Sequence, residues 1–374
     1  MADFSLTTET QDAGIATAME VVYQWDYDPS FEELRRLYVK AAEQQWIAER
    51  DLDWDREIDS ELFSTTPLGF GIPFEQTSYW KSLSSETRWE VMRRTASFRL
   101  SNFLHGEQGA LLVASQLVNC VPHTDAKFYA ATQTMDEARH VEVFARYIEK
   151  LDEVQPIATA LKHVLDATLA TGDWLEKLVG MQIVIEGLAL YSFKEMRNLT
   201  QEPLLKDLLT YVTRDEARHH AYGVTYVSRA VPLLSQEKRE SLEDFALQCA
   251  SALIDRRNNA TLATDVFALW QNAGLDVEAI VECARRELPE RQSRSEKNVR
   301  RFGPIQGFVI PTLKRLGLFG ERVAQHFHQV LAANLERNLA GDSYEEFVQN
   351  LPDLPEDTSR WALEEIDARS DDPG

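Results

Sequence analysis

Cysteine, histidine and positive charge are scarce in this sequence, and long apolar runs are missing. The 374 residues include three cysteines, Cys120, Cys249 and Cys283, with no Cys-x-x-Cys spacing. That pattern excludes a disulfide scaffold and a thiolate metal site, and it suits a reducing cytoplasm. Each cysteine reads as a small buried apolar side chain. Lys and Arg number 39 against 61 Asp and Glu, for a net charge of -22. So acidic a surface argues against nucleic acid or an anionic membrane as partner. No run reaches the ~18 uncharged apolar residues of a membrane span. The N-terminal MADFSLTTETQDAG lacks the basic and apolar segments of a signal peptide, so a cytoplasmic protein is expected.

What is present is helical pattern. Apolar residues make up 44% of the chain, enough for one large all-helical domain or two modest ones. Residues 1–83 read as a leader, a lead-in helix and a loop. The helix starts behind the cap-like DPSFEE and runs through LRRLYVKAAEQQWIAERDLDW. Residues 60–82, with Pro67, Gly69, Gly71 and Pro73, read as a connecting loop over the surface. From Ser84 to about Ala230 glycine is sparse, and Pro122, Pro156 and Pro203 separate segments with apolar residues at three and four. Four long helices are predicted, near 84–120, 124–152, 173–201 and 203–231, with a shorter one near 156–171. Residues 232–374 read as accessory helices, broken at RFGPIQGFVIPTLKRLGLFG, and an acidic tail that frays. No segment alternates as a strand would. The expected fold is all-α: a helical bundle over 84–231 with flanking helices packed on it as one domain.

With eight histidines in the chain, the word DEARH nevertheless occurs twice, at 136–140 and 215–219. Glu-x-x-His on a helix puts a carboxylate and an imidazole one turn apart on one face. Only His140 (with Glu137) and His219 (with Glu216) have that spacing. One such pair alone is an ordinary solvated face. Thirty residues upstream of each glutamate stands another, Glu107 in HGEQGALL and Glu186 in VIEGLAL, each on an otherwise apolar face. A lone glutamate there is costly to bury unless it is paired or binds a metal. All matching positions are offset by 79 residues, an internal repeat of helix pairs. Four carboxylates and two imidazoles from four helices are the pattern of ferritin-like di-iron and di-manganese bundles. Carboxylate oxygens with two nitrogens suit iron or manganese, and four carboxylates balance two divalent ions. Asp136 and Asp215 are placed to accept the second imidazole N–H, with Arg139 and Arg218 as their charge partners; salt bridges on a helix surface are the plainer alternative. His220 points about 100° away from His219 and reads as surface or support. His105 reads as core or surface.

These residues resemble the hydroxylase α-subunits of the soluble diiron monooxygenases and, more broadly, the ribonucleotide reductase small-subunit superfamily. By motif the resemblance covers 107–219, and by helix pattern 84–231; LYVKAAEQQWIAERDLDW is similar to that superfamily's lead-in helix. It implies a ferritin-like four-helix bundle, a bridged centre of two iron ions (manganese at one site being an option), activation of dioxygen as co-substrate, and a homodimer. Four positions depart from its subfamilies. Phe144 stands where a radical-bearing reductase subunit carries tyrosine, and Leu190 where the monooxygenases place threonine. Val212 replaces the extra histidine of arylamine N-oxygenases, and Met181 the cross-linking tyrosine of the ligand-binding oxidases. The chain therefore reads as close to none of them.

Residues three to five positions from a ligand share its face. Phe103, Ala110, Phe144, Met181, Leu190 and Val212 are all apolar and line the expected substrate pocket, packing being the alternative for each. A dry cavity beside the metals keeps water from a reactive intermediate. The expectation is that Glu107, Glu137 and His140 hold one iron and Glu186, Glu216 and His219 the other, with some carboxylates bridging. No flavin or nicotinamide motif is present, so an electron-donor protein (a ferredoxin or reductase) is implied. The first reading is an oxygenase or oxidase of a small organic molecule by hydroxylation, N-oxygenation or desaturation. A radical-generating reductase-like subunit and a non-catalytic iron-handling protein are the alternatives.

Overall fold

The computed structural model describes residues 14–63, 74–288 and 304–334. No strand occurs among them. In chain order the helices are α1 (Glu32–Glu43), α2 (Ala48–Asp51), α3 (Ser60–Phe63), α4 (Ser78–Ser82), α5 (Ser85–Cys120), α6 (Thr124–Leu151), α7 (Thr159–Ala170) and α8 (Trp174–Leu178). They continue as α9 (Glu186–Leu199), α10 (Pro203–Ala230), α11 (Gln236–Ile254), α12 (Arg256–Asn272), α13 (Val277–Glu287), α14 (Ile310–Arg315) and α15 (Glu321–Asn334). A π-helical stretch, Val179–Ile185, joins α8 to α9 without a break, so 174–199 is one long rod.

Local chemistry sets the boundaries of the bundle helices. The Ser84 hydroxyl accepts from Thr87 N–H at the start of α5, which ends at Cys120 with extended Val121 before Pro122. Glu202 accepts from Leu204 and Leu205 N–H at 3.2 and 2.7 Å, with Pro203 as the first helical residue of α10. The connections 121–123 and 200–202 are short, so α5 and α6 fold back as one hairpin and α9 and α10 as another.

The predicted long helices match to within a few residues; three other expectations do not hold in full. The lead-in helix stops at Glu43 instead of running on to Trp54. Gln44, Gln45 and Trp46 leave helical geometry because their side chains bind buried charges on α6 and α10. Within 60–82 the described residues are not a surface loop: Phe63, Phe74 and Trp80 are buried, and α3 and α4 flank residues 64–73, which lie outside the described part. The break expected at 301–320 is partly helical, with a second π-helical turn at Ile305–Val309 running into α14. The acidic tail also lies outside the described residues.

The core comes in two large apolar clusters, and all four bundle helices pass from one to the other at the same level. On α5 the change falls between Leu104 and Ala110, and on α6 between Ala130 and Val143. On the rod 174–199 it falls between Ile185 and Phe193, and on α10 between Val212 and Tyr222. The layer between the clusters is the only level at which all four helices turn buried acidic side chains inward. Ala246, Cys249 and Ala250 of α11 and Val323 and Phe327 of α15 belong to one of these clusters.

Candidate metal centre

Glu107, Glu137, His140, Glu186, Glu216 and His219 meet in that layer, none more than 4% exposed. His140 Nδ1 lies 3.2 Å from Glu107 Oε2, 3.2 Å from Glu137 Oε2 and 3.1 Å from Glu216 Oε1. His219 Nδ1 lies 3.1 Å from Glu137 Oε1 and 3.5 Å from Glu216 Oε1. A ring nitrogen has one in-plane N–H or lone pair, so it cannot satisfy three carboxylates by hydrogen bonding. Donor atoms converging in this way have the arrangement of groups that could hold a metal ion at common points.

Two such points emerge. Glu107, Glu137, His140 and Glu216 surround one, and Glu137, Glu186 and His219 the other. This differs from the partition expected from sequence, which gave Glu216 to the His219 side. Within one helix Glu216 and His219 are neighbours, but the packing of α6 against α10 brings Glu137 and Glu216 between the two imidazoles. Glu137 is common to both points.

The donor set fits two divalent ions. Glu137 Oε2, Glu186 Oε2, both Glu216 carboxylate oxygens and His219 Nδ1 are buried with no hydrogen-bond partner. Leaving them so costs about 1–3 kcal/mol each, more where charged. Protons partly fill the role in the metal-free protein. Burial, then the charge of Glu216, pushes Glu107 and Glu186 well above the usual carboxylate range. Burial acts the same way on Glu137, but His219 and the imidazole hydrogen bonds outweigh it and hold that carboxyl low. Burial would lower both histidines; the surrounding carboxylates prevail and raise them.

The outer nitrogens reveal a crossing. His140 Nε2 donates to Asp215 at 3.1 Å, and His219 Nε2 to Asp136 at 3.3 Å, so each DEARH aspartate orients the histidine of the other copy. Both aspartates are buried, and surface salt bridges are not what is observed. Arg139 donates to Asp136 at 2.6 Å and Asp215 at 3.0 Å, and Arg218 to Asp215. Sequence reading missed the third layer. Gln45 donates to Asp136 (2.8 Å), Trp46 Nε1 to Asp215 (2.8 Å), and Gln44 and Gln45 accept from Arg218 and Arg139. Trp46 also lies under the Arg139 guanidinium, at 4.6 Å. The clue in QQW was three adjacent hydrogen-bonding side chains breaking an amphipathic helix.

Gln133 and Gln182 were missed as well. Gln133 Nε2 donates to Glu186 at 2.6 Å and Glu137 at 3.1 Å, and Gln182 Nε2 reaches Gln133 Oε1 at 3.5 Å. Each sits four residues before a glutamate, so the step that found Phe103 and Val212 would have found them too. Under the 79-residue repeat Gln133 matches Val212 and Gln182 matches Phe103. The centre is therefore polar on its His219 side and apolar on its His140 side. On the apolar side Phe103, Phe144 and Phe193 form a triad with centroids 4.8–6.0 Å apart, in one cluster with Val212. The other expected pocket residues are placed elsewhere. Ala110 and Met181 belong to the second cluster, and Leu190 packs with Ala217 and Phe308.

Glu186 follows the π-helical stretch, a feature that recurs at functional sites and re-aims the residues after it. Its close contact with α10 requires Gly223, where a Cβ would lie 2.4 Å from Gln182 Cβ. His220, read from sequence as surface or support, is buried and bonds Gln182 O through Nδ1 at 2.8 Å; burial lowers its pKa to about 4. His105 bonds Gln155 O at 2.8 Å and takes no part in the centre.

Residues 29–302 match the family of p-aminobenzoate N-oxygenase AurF. No curated relative matches the chain. Similar solved structures include an R2-like ligand-binding oxidase with aerobically reconstituted Mn/Fe cofactor, 15% identical over 70% of this chain and 91% of that one, TM-score 0.42. Another is the same type of oxidase with metal cofactor after photoconversion, 16% identical over 70% and 92%, TM-score 0.43. No chemistry follows from a likeness of that degree. The family match is narrower than the motifs suggested: Val212 is one departure, whereas the match takes in the lead-in helix, both hairpins and α11–α13.

Proposed function

This chain belongs to the p-aminobenzoate N-oxygenase AurF family, a diiron oxidoreductase of the ferritin-like class, and from that premise we propose that it oxidises a small organic substrate held against the His140 side of its centre. One observation carries the reading: six buried ligand-type side chains whose free donor atoms converge on two points. Glu107, Glu137, His140 and Glu216 would hold one ion, and Glu137, Glu186 and His219 the other. Two bound irons, or iron with manganese at one position, supply the reducing electrons and Lewis acidity that activate dioxygen.

The chain's own groups do the rest. Asp136 and Asp215 fix the imidazole orientations, and the arginines hold the aspartates. Gln133 donates to two ligand carboxylates and keeps their orientation on the polar side. Phe103, Phe144, Phe193 and Val212 exclude water on the other side, where a substrate C–H or N–H group is presented. An electron-donor protein would supply the electrons, and the protein would work as a cytoplasmic homodimer; these rest on the missing cofactor motifs, the cysteine usage and the superfamily.

The family name favours N-oxygenation of an arylamine, and Val212, at the place of that reaction's extra histidine, favours a different oxidation. The radical-generating alternative is disfavoured by Phe144, fully buried in the aromatic triad. The test is anaerobic reconstitution with ferrous iron, admission of oxygen, and a screen of arylamines, benzoates and aliphatic substrates. A product carrying oxygen from dioxygen supports the reading. Ferric iron alone, or a long-lived radical that persists without product in Tyr226→Phe, overturns it.

A further inference from the structure

The 79-residue repeat is broken in one chemical respect: a run of neighbouring tyrosines leads away from the His219 ring, and two of its positions are apolar in the other half. Tyr129 lies 6.5 Å from the His219 ring, Tyr222 stacks on Tyr129 at 4.6 Å, and Tyr226 follows at 5.9 Å. Trp174, half-buried, lies 4.7 Å from Tyr226 and brings the series to the surface. On the His140 half the repeat places Leu208 where Tyr129 stands and Val143 where Tyr222 stands.

We propose that Trp174, Tyr226, Tyr222 and Tyr129 form a relay that carries oxidising equivalents from the centre to the surface when no substrate is there to consume them. The proposal rests on the dinuclear reading above. Burial keeps all three phenols neutral, so losing an electron requires a proton acceptor. Tyr129 has none, its hydroxyl being buried without a partner; it is a place to pass through. The Tyr226 hydroxyl lies 2.8 Å from Nδ1 of half-buried His123. One electron leaves Tyr226 inward through Tyr222 and Tyr129. The phenolic O–H breaks and its proton passes to His123 Nδ1, leaving a neutral phenoxyl radical beside an imidazolium. An external one-electron reductant, a thiol or the electron-donor protein, returns the electron, and His123 returns the proton.

The relay is tested by running it inward. A photo-generated ruthenium(III) polypyridyl oxidant in solution is flashed against the ferrous-loaded protein without oxygen. Oxidation of the ferrous pair, followed by electron paramagnetic resonance and absorbance, is expected to slow by about tenfold or more in Tyr222→Phe. It should be unchanged in Tyr147→Phe, the repeat's counterpart of Tyr226. Equal rates in wild type and Tyr222→Phe overturn the relay. In the metal-free protein the flash is expected to give a phenoxyl signal lost in Tyr226→Phe and kept in Tyr147→Phe; no signal from Tyr226 also overturns it. Metal content, measured on the same samples, separates the two failures. Protein that binds no iron refutes the dinuclear reading, while the metal-free flash still decides the relay.

Discussion

Asp215→Asn perturbs the centre without replacing a ligand. The Asp215 Oδ2 accepts from His140 (3.1 Å), Trp46 (2.8 Å) and Arg139 (3.0 Å), while Oδ1 accepts from Arg218. Asparagine keeps the shape, loses the charge, and turns an N–H2 group on one of these donor sets whichever way it flips. Breaking a buried ion pair at one partner costs about 3–5 kcal/mol, so the metal-free variant should unfold at clearly lower urea. Outer partners of metal-bound imidazoles are worth about 10–100-fold in affinity. The ferrous ion beside His140 should therefore bind more weakly by about 1.4–2.8 kcal/mol. The crossing makes the test specific. In a double-mutant cycle Asp215→Asn should add little to His140→Ala and its full effect to His219→Ala, read by anaerobic ferrous titration. Strong coupling to His219, on the same helix, and none to His140 would refute the crossed arrangement.

Three further outcomes follow from the same geometry. Glu186→Gln removes a crowded buried carboxyl; the metal-free protein should gain about 0.5–2 kcal/mol in urea unfolding while bound metal is lost, and unchanged stability would contradict this. His220→Ala should keep both ions yet cost about 2–4 kcal/mol through the lost bond to Gln182 O and the cavity beside Phe308; loss of metal would contradict its supporting role. Lys177 donates to Gln116 (2.6 Å) and to the last carbonyls of α7, and burial lowers its pKa from 10.5 to about 8. The folded state thus holds fewer protons than the unfolded state between those values, so stability should rise with pH from about 8 to 10.5 relative to Lys177→Gln; parallel curves would contradict it.

Much of the centre was legible because its chemistry is periodic. Long helices follow from apolar spacing, and Glu107 and Glu186 stand out as acids on apolar faces at one offset from each DEARH. Contacts that cross the repeat were not legible. Which aspartate serves which histidine, and which glutamate lies between the imidazoles, depend on how α6 and α10 pack, and spacing within one helix says nothing of that. Gln44–Trp46 looked like helix because local propensity favours it; buried charges on α6 and α10 override that preference. The π-helical stretch before Glu186 has no composition of its own, so the sequence reads there as plain helix.

The central claim is that this chain holds two metal ions in one buried carboxylate–imidazole site. Anaerobic reconstitution with ferrous iron, removal of loose metal and elemental analysis test it directly, alongside Glu137→Ala, which removes the carboxylate common to both points. The account predicts about two ions per chain in the wild type and loss of both in the variant. Less than about one ion per chain in the reconstituted wild type would contradict it.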